Sequence, residues 1–148
     1  MKSFKHILVA TDFSESSGAA LELALSFAKA FDSELTLLHS WNVPIYPYLD
    51  PMPSSADLTT AIQQAATKRL AEELERVKNV LPRAKSVLAM GQPWQQILET
   101  SKQLGADLVV MGTHGRHGLN HALMGSVAEK VVRLAEIPVL TVHAPKAS

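Results

Sequence analysis

Apolar residues along this chain follow two alternating patterns: short uninterrupted runs, and longer stretches in which they recur every three or four positions. The run His6–Thr11 is rich in β-branched residues and predicts a strand buried on both faces. Asp12-Phe13-Ser14-Glu15-Ser16 breaks it and supplies several side chains suited to capping a helix. From about Ser17 to Phe31, Ala20, Ala24, Phe27 or Ala28, and Phe31 then repeat at helical spacing. A second strand is predicted at Glu34–Ser40, with Leu35, Leu37 and Leu38 as its apolar content. Ile62, Ala66, Leu70, Leu74, Val77 and Leu81 step along one face of the longest helix, whose other face carries Lys68, Arg69, Glu72, Glu73, Glu75 and Arg76. Val87–Met90 is the third strand. A helix with Pro93 in its first turn buries Trp94, Ile97, Leu98 and Leu104 ahead of a Gly105 cap. Asp107–Met111 is the fourth strand, Ser126 to Ala135 a helix burying Val127, Val131 and Leu134, and Pro138–His143 the fifth strand.

Strand and helix therefore alternate, and right-handed crossovers make a parallel sheet with helices on both faces the economical architecture. One segment interrupts the alternation. Between Trp41 and Ser55, Pro44, Pro47, Pro51 and Pro53 interleave with Tyr46 and Tyr48, which excludes a helix or a central strand and predicts a long loop. Such a loop either lids a pocket, packs against a partner subunit, or is an ordered surface excursion.

Composition narrows the classes of function. A chain of 148 residues with 47% hydrophobic content suits one domain spanning residues 1–148. Fourteen basic and fourteen acidic residues cancel, so no net charge draws the chain toward nucleic acid or an anionic membrane. The absence of cysteine excludes a disulfide framework, a thiolate metal site and a catalytic thiol. No signal peptide is evident at the start, and no run approaches the roughly 18 apolar residues of a membrane span. A cytoplasmic protein with no membrane or nucleic-acid partner is the expectation.

Candidate chemistry concentrates in Gly112-x2-Gly115-x9-Gly125-Ser126, which leaves the fourth strand and enters the last helix. Glycine lets backbone amides approach an anion with no Cβ in the way, and a helix start offers unpaired N–H groups and partial positive charge to phosphate. Two other nucleotide fingerprints are missing: no G-x-G-x-x-G follows the first strand, and no G-K-[ST] occurs anywhere. Arg116 either neutralises a terminal phosphate or is solvated. His114, His117 and His121 cluster without a cysteine in a loop, an arrangement that suits flanking phosphate or facing water better than binding a metal. Met124-Gly125-Ser126-Val127-Ala128 is not a G-x-S-x-G elbow, so nothing marks Ser126 as a nucleophile. Asp12, at the end of the first strand, either caps the next helix or meets a ribose hydroxyl or Mg²⁺.

The glycine pattern, the opening His6-Ile7-Leu8-Val9-Ala10-Thr11-Asp12-Phe13-Ser14 and the closing Ile137-Pro138-Val139-Leu140-Thr141-Val142 resemble the universal stress protein family, in its ATP-binding branch. The resemblance implies an open, doubly wound, Rossmann-like five-stranded parallel sheet of order 3-2-1-4-5. It implies an adenine nucleotide, ATP with Mg²⁺, in the crevice at the carboxyl ends of strands one and four. The residues it points to are Ala10, Thr11, Asp12, Ser40, Gly112, His114, Gly115, Arg116, Gly125, Ser126 and Val127, with Asp12 the candidate Mg²⁺ ligand. Ser40 stands where relatives usually carry an apolar residue against adenine. A homodimer through Val139–Val142 is also implied. The expected role is a nucleotide-responsive stress or signalling protein; the alternatives are an interaction protein with a vestigial pocket and a slow ATPase.

Overall fold

Successive side chains of a strand point to opposite faces, so a central strand between two helical layers must be apolar at every position. The strand β1 (His6–Ala10) obeys this: Ile7, Leu8 and Val9 are all fully buried. The computed structural model describes residues 3–43, 55–114 and 124–145. In it β1 is followed by α1 (Glu15–Phe31), β2 (Glu34–Trp41), α2 (Ser55–Lys78), β3 (Lys85–Met90), α3 (Pro93–Leu104), β4 (Leu108–Gly112), α4 (Ser126–Leu134) and β5 (Val139–Val142). The five strands form one parallel sheet in the order β3-β2-β1-β4-β5. This is the order that the resemblance implied.

The sheet's two faces bury separate clusters. On one, Ile7, Val9, Leu35, Leu37, Leu108 and Val110 meet Ala20, Leu21, Ala24, Leu25 and Ala28 of α1 and Leu70 and Val77 of α2. On the other, Leu8, Leu38, Val109 and Met111 meet Ile97 of α3 and Ala128 and Val131 of α4. The alanines of α1 keep that helix close to the sheet, and its alternative candidates resolve accordingly: Ala28 is buried, while Phe27 is half-buried and packs edge-on against Phe31. Each fully buried Leu, Ile or Val in these clusters contributes about 1.5–3 kcal/mol relative to exposure.

Several boundaries differ from the sequence reading. Trp41, expected in the loop, is the last residue of β2, pairs in register with Met90 and is buried. The helix α2 begins at Ser55, ahead of its first periodic residue, and stops at Lys78; Leu81 lies beyond it, its amide bonded to the Val77 carbonyl at 2.8 Å. Most of the proline-rich segment lies outside the described residues. The turn from α1 into β2 uses Asp32 in the left-handed conformation, and its carboxylate pairs with Arg83.

Candidate functional site

Parallel pairing of β1 with β4 brings two chain segments together at one end of the sheet. Val9 is in register with Val110, so Ala10–Asp12 and Gly112–His114 emerge side by side. Polar contacts define the first segment. Thr11 is buried, and its Oγ1 lies 3.2 Å from Ser17 Oγ and accepts from the Phe13 amide at 3.0 Å. Asp12 Oδ1 accepts from the Ser14 amide at 3.0 Å, and Ser14 in turn is the N-cap of α1, accepting from the Ser17 amide. The cap of α1 is thus Ser14, and Asp12 bonds the amide of that capping residue, not an amide of the helix itself. Phe13 adopts a left-handed backbone, φ 64°, uncommon for a bulky residue. Its ring is flanked by the His39 imidazole at 4.5 Å and the Arg69 guanidinium at 4.7 Å. His39 Nδ1 donates to the Thr11 carbonyl at 2.8 Å, tying β2 to the end of β1. Ser40, next in β2, is half-buried opposite Ala89 of β3.

The second segment is held by α1 and β5. Thr113, 2% exposed, donates its amide to the Val142 carbonyl at 3.0 Å and accepts the Gly125 amide at its own carbonyl at 2.7 Å. Ser16 Oγ also donates to the Val142 carbonyl, at 3.1 Å, and lies 3.5 Å from the His114 amide. Glycine is needed at two points by close approach. A β-carbon on Gly112 would come within 2.8 Å of the Ser16 carbonyl carbon and Cβ, and one on Gly125 would stand 3.0 Å from the Thr113 carbonyl oxygen. Neither glycine has positive φ. Both therefore act here by letting α1 and the start of α4 pack against the segment after β4, and the Gly125 amide is spent on that packing.

The amides without a partner among the described residues lie one residue onward. Gly125 is the N-cap of α4, with no side chain to cap the helix, and the helical ladder begins with the Glu129 amide donating to the Gly125 carbonyl at 2.9 Å. Ahead of it, the amides of Ser126, Val127 and Ala128 have no partner among the described residues. Ser126 is exposed and Val127 half-buried, while Ala128 and Val131 anchor the helix in the core. Three aligned donors at a positive helix end fit phosphate oxygens. His114 adds a further polar atom: its Nε2 is buried without a hydrogen-bond partner among the described residues. Among the described residues no group of three or more His, Cys, Asp or Glu could hold a metal ion. Gly115, Arg116, His117 and His121 lie outside the described residues.

Sequence reasoning gave no place in the site to Ser16, Thr113, His39 or His143, whose Nδ1 lies 3.2 Å from Thr113 Oγ1. Thr113 had a local signal, standing between the two glycine positions; the others become visible only when distant segments meet.

Comparison with known proteins agrees with this architecture. The chain is 34% identical to universal stress protein MJ0531 of Methanocaldococcus jannaschii, over 97% of its length and 84% of the relative's. The universal stress protein UspA of Lactobacillus plantarum superposes with a TM-score of 0.81 at 26% identity, covering 96% of this chain and 99% of that one. A universal stress protein solved in complex with cAMP superposes with a TM-score of 0.68 at 25% identity, covering 97% of this chain and all of the other. The model of the universal stress protein family matches residues 3–143, and the chain belongs to that family.

Proposed function

We propose that this protein binds ATP beyond the carboxyl ends of β1 and β4, and that occupancy of the crevice sets its conformation or its choice of partner in a stress or signalling response. The observation that carries the reading is the set of amides at Ser126, Val127 and Ala128 with no partner among the described residues, delivered to the same end of the sheet as Asp12. The relative solved with cAMP supports an adenine nucleotide as the class of ligand.

In this reading the first turn of α4 and the Ser126 hydroxyl hold the phosphates, with His114, Gly115 and Arg116 beside them. Gly112 and Gly125 contribute indirectly, by letting α1 and the start of α4 close on the segment after β4. Asp12 meets the ribose or ligates Mg²⁺, which when bound neutralises phosphate charge. Ala10, Thr11 and Ser40 line the adenine side, with backbone groups at Ser40 replacing the apolar contact usual at that position. Phosphoryl transfer also requires a positioned acceptor or water, and no described side chain is assigned that task. Calorimetric titration with ATP and Mg²⁺ tests the reading: saturable heat supports it, and none at near-millimolar nucleotide removes it.

A second reading rests on β5. Val139–Val142 forms an outermost strand, paired on one side to β4, and its residues are only half-buried. An apolar sheet edge is either protected or paired. We infer a homodimer that pairs this edge across a two-fold axis and works in the cytoplasm; sedimentation as a monomer at micromolar concentration contradicts it.

A further inference from the structure

The Thr113 hydroxyl stands between two imidazoles. Its Oγ1 lies 3.1 Å from His114 Nδ1 and 3.2 Å from His143 Nδ1. A hydroxyl carries one proton and two lone pairs, whereas a neutral imidazole carries its proton on one of two nitrogens. These counts couple the rings. When the Thr113 hydroxyl donates to one Nδ1, it accepts from the other, and each ring's Nε2 is fixed by what its Nδ1 does.

The consequence falls on His114 Nε2, which is buried and has no partner among the described residues. His114 follows the residue whose carbonyl receives the Gly125 amide, and its Cα would be 3.6 Å from a β-carbon on Gly125. Its backbone is therefore packed on the N-cap of α4. His143 is exposed, just past β5, and open to solvent protons. Once charged, His143 can only donate from Nδ1. Thr113 then donates to His114 Nδ1, and a neutral His114 must carry its proton on Nε2, as a buried donor.

We propose that His143, acting through Thr113, is a positioning residue that selects the tautomer of His114 in which Nε2–H donates to a phosphate of the bound nucleotide. The inference rests on the nucleotide reading above and adds its regulation: affinity rises as His143 takes up a proton. Among the described residues, the carboxylates at the carboxyl end of the sheet on the adjoining elements include Asp12 after β1, Glu15 in the first turn of α1 and Glu129 in that of α4. Glu129 faces Arg133 of its own helix at 3.5 Å, and Asp12 Oδ1 is held by the Ser14 amide. The nearby helix cation Lys130 stands over the Trp94 ring at 5.3 Å.

The test is a titration with Mg²⁺ and ATP at about pH 6 and about pH 8, the range in which imidazole changes charge, on wild type, His143→Asn, His114→Asn and the double variant. The wild-type advantage over His143→Asn should grow on acidification by about tenfold, equivalent to about 1.4 kcal/mol, and vanish in the His114→Asn background. Comparison with His143→Asn at each pH removes the titration of ATP itself. Thr113→Ser should retain the coupling and Thr113→Val lose it, with both folded by circular dichroism. Equal pH dependence in wild type and His143→Asn overturns the proposal. Should wild type bind no ATP, the nucleotide reading fails, and imidazole ¹⁵N spectra decide the relay separately. Conversion of His114 to the Nε2–H form as His143 protonates supports it; a His114 tautomer indifferent to His143 overturns it.

Discussion

Ser16 occupies the space that a side chain at position 112 would need: a β-carbon on Gly112 would lie within 2.8 Å of the Ser16 carbonyl carbon and Cβ. Because part of the obstacle is backbone, a rotamer change at Ser16 cannot relieve it. Gly112→Ala should therefore destabilise the fold by about 1–3 kcal/mol, as overpacking does. Urea denaturation measures this, and an unchanged midpoint would show that α1 stands further from β4 than described.

Asp107 holds the entry to β1. Its Oδ2 accepts from the Lys5 amide at 2.8 Å and its Oδ1 from the His6 amide at 3.0 Å, across the junction of β1 and β4. Asp107→Asn replaces one acceptor by an N–H facing another N–H. A loss of about 1–3 kcal/mol is expected by the same denaturation measurement; wild-type stability in Asp107→Asn would mean that water satisfies those amides equally well.

Gly18 lies inside α1, and a β-carbon there would meet nothing within 4 Å. Its cost to the helix is therefore one of propensity, uncompensated by close packing. Gly18→Ala should raise stability by about 1 kcal/mol and shift the thermal midpoint upward. A downward shift would reveal a contact at that surface that the isolated chain does not display.

Both core layers were legible because they follow from residues whose environment is uniform, whereas the strand order came only from the resemblance to the family. Ile7, Leu8 and Val9 are apolar in succession since both faces of β1 are covered, and Ala20, Ala24 and Ala28 repeat at helical spacing where α1 lies on the sheet. Legibility failed where polar residues belong to regular elements. Lys85 and Ser86 begin β3 at a sheet edge, where one side is open and no apolar run is required, so the apolar pattern marks the strand only from Val87. The first turns of α2 precede any periodic residue, and Leu58 there is 41% exposed.

The candidate site was legible in outline, since a glycine can be recognised as a place where backbone comes close. What it comes close to was not. Gly112 makes room for Ser16, and Gly125 gives its amide to Thr113, leaving Ser126, Val127 and Ala128 as the donors. Ser16 reaches Val142, and Thr113 reaches His143, over sequence separations that no local pattern encodes.

The most direct measurement of the central claim removes one of those donors without disturbing the helix. Gly125 has φ −66° and ψ 163°, a conformation compatible with a following proline, and Ser126 is the first residue of α4, where proline is best tolerated. Ser126→Pro deletes one amide N–H and the hydroxyl and should leave the urea midpoint nearly unchanged. Titrated with Mg²⁺ and ATP beside wild type, it should bind at least about tenfold more weakly, a difference of about 1.4 kcal/mol. Equal affinity in a folded Ser126→Pro protein would contradict the claim that the start of α4 is the seat for phosphate.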